Sequence, residues 1–326
     1  MDILWGVFKT IGYFLKSSNH CDFIILYHIS FITILPFYFI KLFKKQKFIV
    51  ILPEFYEKPE APFYKYQSLN WWNFYLGIKY LAGIANGFVV LTYYLEKFIK
   101  NRYGSEIPII ILPGLVDTED FAESNFKEKY NSIITIGYVG TPTHKDGVIH
   151  LLESFAQLLK EFDNCRLNII GDITNGGSVL PSLKMKAKSL NIEDKVEFKG
   201  LVEHHRVPDL LSECDILTLT RPNGIFAEAG FPSKLGEYFA AKRPIVITNV
   251  GDVPHYFTHG KELVIVEPES IYSIVEGFKY LINYPSDSRT IAINGFKWMT
   301  DNLKYKEAIN KILNFINENF NANARK

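Results

Sequence analysis

Residues 230–249 read GFPSKLGEYFAAKRPIVITN. Pro232 and Ser233 supply a stop and an N-cap, and Leu235, Tyr238, Phe239 and Ala241 recur at three- and four-residue spacing, which predicts a helix over 233–241. Lys242-Arg243-Pro244 ends it. The run that follows, 244–248, has the unbroken apolar character of a parallel strand covered on both faces. Lys234 and Glu237 lie one turn apart near the start of the helix. A helix start attracts anions and a neighbouring cation strengthens it, while a carboxylate one turn further in suits a pair of ribose hydroxyls. The plain alternative is a surface helix with an i, i+3 Lys/Glu pair.

The same rhythm extends in both directions. Upstream, strands are predicted at 133–139, 166–170, 196–199 and 216–220, with helices at 148–161, 180–189 and 205–212 between them. Downstream follow a strand at 263–266, a helix at 270–283 and a helical region over 287–319. The first part repeats the pattern: a helix over 1–19, strand 23–27, helix 30–43, strand 48–52, a loop over 53–74, helix 74–85, strand 87–91, helix 93–102 and strand 109–112. Alternating helices and buried strands imply an α/β chain of two doubly wound, parallel-sheet, Rossmann-like domains. The expected division is 1–115, a polar linker over 116–131, a second domain over 132–300, and a C-terminal helix over 301–326 packing back on the first domain.

A length of 326 residues accommodates two such domains. A net charge of +1 offers no general attraction to nucleic acid. Cys21, Cys165 and Cys214 are too scattered for a metal motif or a disulfide framework, which favours a reducing cytoplasm. The N-terminus does not read as a signal peptide. Between Asp22 and Lys41 the chain is uncharged, long enough for a membrane span, but His28, Ser30, Thr33 and Pro36 divide it into a strand and an apolar helix with a basic end. That helix suits an anionic membrane surface. An integral span over 23–42 is the rival reading.

Four loops at predicted strand ends carry the polar chemistry. The first, GTPTHKDG, has Gly140 at a strand end and Lys145 where a helix begins, a plausible diphosphate cradle. The others are 171–177, 200–205 and 221–226, and in an open parallel sheet all of them and Lys234/Glu237 converge on one crevice.

From Ile133 to about Phe315 the chain resembles the nucleotide-sugar domain of family 4 glycosyltransferases, which have the GT-B fold. The matching stretches are GYVGTPTHKDGVIHLLESF, LNIIGD, KVEFKGLVEHHRVPDLLSECDILTL and GFPSKLGEYFAAKRPIVITNVGDVPHYF. IIILPGLVDTEDF resembles the family's interdomain segment, and CDFIILYH a strand ending in an active-site histidine, His28.

The resemblance implies transfer of a sugar from a nucleoside-diphosphate donor to a glycan or lipid-linked acceptor hydroxyl, with retention and without a bound metal or other cofactor. Glu237 matches the second Glu of the E-x7-E motif and would bind the donor ribose. Lys145 would contact the diphosphate and His28 the donor sugar, and these three are the candidate catalytic residues. Val202 to His204 would meet the nucleobase. Gly140, Thr141, Arg221, Phe231, Ser233, Lys234 and Leu235 complete the donor site. Two positions depart from the family: Ala229 stands at the first Glu of E-x7-E, with Glu228 beside it, and Thr141 stands at the diphosphate Arg. Lys234 and Arg221 are the cations available to compensate. The plain alternative for His28 is a core histidine with a backbone partner, and Glu54 is a second candidate on the acceptor-facing rim.

The family's first domain begins with three further strands, whereas one helix precedes the His28 strand here, so that domain reads as incomplete. Two functions stay open: a peripheral enzyme of polysaccharide or glycolipid synthesis on the inner face of the membrane, and a donor-binding subunit whose site a second chain completes.

Overall fold

The computed structural model describes residues 9, 12–13, 22–43, 46–56, 65–117, 121, 133–173 and 177–320. Most of the helix expected over 1–19, Cys21, most of the expected linker, residues 174–176 and 321–326 lie outside them. The chain divides into two compact units, 1–113 with 309–326, and 114–308.

The first unit is built on a four-stranded parallel sheet, β1 (Phe23–Tyr27), β2 (Lys47–Leu52), β3 (Gly87–Val90) and β4 (Ile109–Ile111), in that order. The uncharged run at 23–42 is β1, a turn, and the 13-residue helix α1 (Phe31–Phe43), because parallel pairing of β1 with β2 requires the chain to leave the sheet and return. Among the described residues no helix is long and apolar enough to cross a membrane. Helix α2 (Lys65–Leu76) runs on into a π-turn (Gly77–Leu81) and a short 3-10 turn (Ala82–Ile84). This corrects the loop expected over 53–74: with aromatic residues on every face, α2 shows no one-sided stripe. Helix α3 (Tyr93–Tyr103) is capped by Thr92, whose hydroxyl accepts from Leu95 N at 3.3 Å. The end of the chain's last helix, α12 (Tyr305–Phe320), brings Phe315, Ile316 and Phe320 into one cluster with Ile49, Val89 and Leu112. A Cβ on Gly87 would lie 2.8 Å from the Phe320 ring, so a side chain there would have to displace that ring.

The second unit carries a six-stranded parallel sheet: β5 (Ile134–Val139), β6 (Cys165–Ile170), β7 (Val196–Gly200), β8 (Ile216–Leu219), β9 (Ile245–Thr248) and β10 (Val264–Val266). Its order, β10-β9-β8-β5-β6-β7, reverses direction between β5 and β8. Helices α4 (Val148–Leu158), α5 (Leu180–Ser189), α6 (Val207–Glu213), α7 (Ile225–Ala229), α8 (Lys234–Ala240), α9 (Val253–Tyr256), α10 (Ile271–Asn283) and α11 (Pro285–Asn302) connect and cover it. α7 and α9 fall where loops were expected, each too short to show a period. The helical region over 287–319 is broken between α11 and α12, where Val116 N donates to Leu303 O at 3.1 Å and the two segments form a bridge.

Candidate functional site

In an open parallel sheet the point of reversal leaves a crevice beyond the strand ends. Here that point is bounded by the loops after β5 and β8. β5 ends at Val139 with Gly140 next, and Lys145 lies in a 3-10 turn (His144–Asp146) ahead of Gly147 and α4. Gly147 is left-handed (φ +66°), and a Cβ on it would sit 1.9 Å from Thr220 O. Thr220 Oγ1 donates to Gly147 O at 3.0 Å, which locks the two loops together. Gly140 (φ +150°) has the Lys234 side chain directly beneath it: a Cβ there would meet Nζ at 2.1 Å.

At the centre lies a carboxylate that sequence reading missed. Asp146 is buried and pairs with Lys234 through Oδ2 and with Arg221 Nε through Oδ1 at 3.3 Å. Tyr138 donates its hydroxyl to the same Oδ2 at 2.6 Å. Arg221 also donates to Gly230 O at 3.2 Å, and Thr248 Oγ1 donates to Arg221 O at 2.7 Å. Lys234 and Arg221, read from sequence as free compensating cations, are therefore already tied to a carboxylate. Burial alone would raise the Asp146 pKa, but the two cations outweigh it and hold the group below the usual carboxylate range. Burial lowers the Lys234 pKa; Asp146 opposes this and Arg221 adds to it. Burial, reinforced by Asp146, pushes the Tyr138 hydroxyl up, so it stays a donor.

The depressed Asp146 pKa has a consequence for acid stability. Its contribution is fully present above the unfolded carboxylate value of about 4 and is lost as pH falls through the lower native value. Urea midpoints measured from neutral pH downward are expected to drop below about pH 4 more steeply for the parent than for Asp146→Asn. Equal slopes would remove Asp146 from the acid response.

Around this centre the other expected residues are placed as follows. Glu237, half-buried one turn into α8, has Oε1 4.0 Å from Nε2 of the exposed His204, so the structure brings these two together. Thr141, Lys145 and Ser233 are exposed, and Val202 is half-buried. Lys145 Nζ stands 5.5 Å from the centre of the Phe226 ring. Phe231 and Leu235 are buried, so their side chains belong to the core and only their backbone could meet a ligand. Ser233 is not the N-cap expected: its backbone is helical and its side chain makes no capping bond. Ala229 is buried and Glu228 exposed, so the neighbouring carboxylate does not take over the buried position.

His28 belongs to the first unit, at the end of β1. Its backbone is left-handed (φ +72°), its N–H donates to Ile51 O at 2.9 Å, and its ring lies near Tyr56 and Phe74, with centroids at 5.6 and 6.5 Å. Among the described residues Nδ1 is buried without a hydrogen-bond partner. Burial lowers its pKa, opposed by Glu54, whose Oε1 accepts from Tyr56 at 2.6 Å.

Comparison with known proteins places this arrangement. The chain is 25% identical over 216 residues to the capsular polysaccharide biosynthesis glycosyltransferase CapM of Staphylococcus aureus, covering 62% of this chain and 53% of that one. It thus spans about half the length of that relative. In fold it is similar to a glycosyltransferase from Rickettsia africae (TM-score 0.77, 16% identity, 98% of this chain and 82% of that one). It is likewise similar to Anabaena HepE, solved in complex with UDP (TM-score 0.71, 13% identity, 94% and 82%). Both sheets are the Rossmann-like domains of a GT-B protein. Residues 116–298, which contain the switch-point loops, the Asp146 cluster and Glu237, match the family described as glycosyl transferases group 1, and the chain belongs to that family.

Proposed function

We propose that the chain transfers a sugar from a nucleoside-diphosphate donor to an acceptor hydroxyl with retention of configuration, in cell-surface polysaccharide or glycolipid synthesis. The supporting observation is the charge at the switch point: two cations face one buried carboxylate, an excess of one positive charge within that cluster beside Gly140, with Glu237 the next carboxylate acting on Lys234. An anionic group satisfies that residue of charge, and a diphosphate is the anion a sugar donor brings. The name of CapM and the UDP held by HepE agree with this reading.

In this reading the bond between the anomeric carbon and the diphosphate oxygen breaks with its electron pair staying on the diphosphate, the acceptor oxygen bonds to the anomeric carbon, and the acceptor's hydroxyl proton leaves with the diphosphate. Lys145, with the positive charge behind Gly140, stabilises that leaving group without a metal. Glu237 accepts hydrogen bonds from the ribose, with His204 beside it. His28 is assigned to the donor sugar by resemblance alone.

The test is a thermal-shift screen with UDP-, GDP- and ADP-sugars. The matching donor at a hundred times its Kd is expected to stabilise the protein by about 2.7 kcal/mol. Glu237→Gln is expected to weaken that donor on the order of tenfold, the loss of one charge-assisted hydrogen bond. Product linkage by NMR reads the stereochemistry. No shift with any donor would sink the proposal. A second reading, a donor-binding subunit completed by a partner chain, draws on β1, an edge strand with Ile25 and Tyr27 exposed. Donor binding without transfer, restored by a second protein, would favour it.

A further inference from the structure

Charge is segregated in the first unit. The stretches 23–53 and 65–95 contain no Asp or Glu, and their charged side chains are Lys41, Lys44, Lys45, Lys47, Lys65 and Lys79, in a chain whose totals are nearly balanced. Lys41 and Lys47 use their ammonium groups on the carbonyls of Ile84 and Phe320. Lys79 is instead held at the surface between the rings of Tyr75 and Tyr80, at 5.5 and 5.1 Å from their centres. Tyr75 in turn meets Trp72 and Trp71, with ring centres 5.8 and 5.0 Å away. Trp72 is 51% exposed, Leu69 58% and Tyr80 58%. Arg102, also exposed, donates to the carbonyls of Ile78 and Lys79 and adds a second cation at the same turn. α1 packs against this element: Asn73 accepts from Ile32 N at 3.1 Å and donates to Ser30 Oγ at 3.0 Å. α1 leaves Ile32 and Phe39 exposed in its turn.

We infer that α2 and its π-turn, with α1 beside them, form a docking face for an anionic lipid bilayer. The chemistry is that of an interfacial anchor. Trp and Tyr rings place an apolar body in the headgroup region while their polar edges stay hydrated, and Lys and Arg meet anionic headgroups. The exposed side chains of Leu69, Ile32 and Phe39 are hydrocarbon and gain only by leaving water. A glycan platform would pair hydroxyls with carboxylates, and among the described residues of α1, α2 and the π-turn there are none.

The test is co-sedimentation of the full chain with vesicles of phosphatidylcholine, with and without a third of phosphatidylglycerol. Sedimentation with the anionic vesicles, weakening as salt rises from about 0.1 M, is expected. Lys79→Ala should lower the partition coefficient about fivefold, and Trp72→Ala with Tyr80→Ala on the order of tenfold. All these side chains lie at the surface, so melting temperatures should stay at the parent value. Trp72→Phe, which preserves the fold, should diminish the blue shift of tryptophan emission on vesicle addition. Equal binding to neutral and anionic vesicles, variants that bind like the parent, or sedimentation abolished by soluble dextran would each overturn the inference.

Discussion

Replacing Lys145 by alanine is expected to slow sugar transfer on the order of a hundredfold while leaving the melting temperature at the parent value. The two halves of that expectation come from its position. Lys145 is exposed on a 3-10 turn, and among the described residues no carboxylate pairs with it. Among the described residues its ammonium stands over the Phe226 ring, and little native structure is lost with it. A preorganised cation matters most where charge develops, on the departing diphosphate. The measurement is single-turnover transfer with the donor found by thermal shift. Turnover at the parent rate would remove Lys145 from the reaction and leave the Lys234–Arg221–Asp146 cluster as the diphosphate site.

Asp146→Asn is expected to destabilise the second unit by about 3 kcal/mol, a fall in melting temperature of roughly 6–12 °C. Asparagine keeps the shape but leaves Lys234 and Arg221 facing each other without an anion. Breaking a buried pair typically costs about 3–5 kcal/mol. The lower end applies because Lys234 and Arg221 keep 20% and 17% of their side-chain surface in solvent, which screens part of the repulsion. Adding Lys234→Met to Asp146→Asn removes one side of that repulsion and should restore much of the loss. A single variant as stable as the parent would show that the cluster is held by its hydrogen bonds and not by its charges.

The legible and the hidden parts of the site differ in a physical way. Gly140, Lys145, Lys234 and Glu237 were visible because each is explained by its own neighbours: a glycine at a strand end, a lysine at a helix start, a pair one turn apart. Asp146 was not, although it follows Lys145 directly. Its partners Arg221 and Lys234 lie 75 and 88 residues away, and nothing local separates a solvated Asp from a buried one. Tyr238 read as a plain stripe residue for the same reason, yet its hydroxyl accepts from Val139 N at 2.8 Å and helps fix the end of β5. The helix α2 escaped because a segment that is aromatic on every face has no period to read.

By itself the sequence determined the α/β alternation, the parallel character of both sheets and the crevice to which the polar loops belong. Those follow from apolar runs and turn residues acting within a few positions of one another. Only the tertiary structure decided which cation is available and which is already matched. Pairing depends on distances between side chains that strand order, not chain order, brings together. The stretch at 230–249 shows both levels: its helix and strand are local facts, while the partner of Lys234 is a carboxylate on another loop.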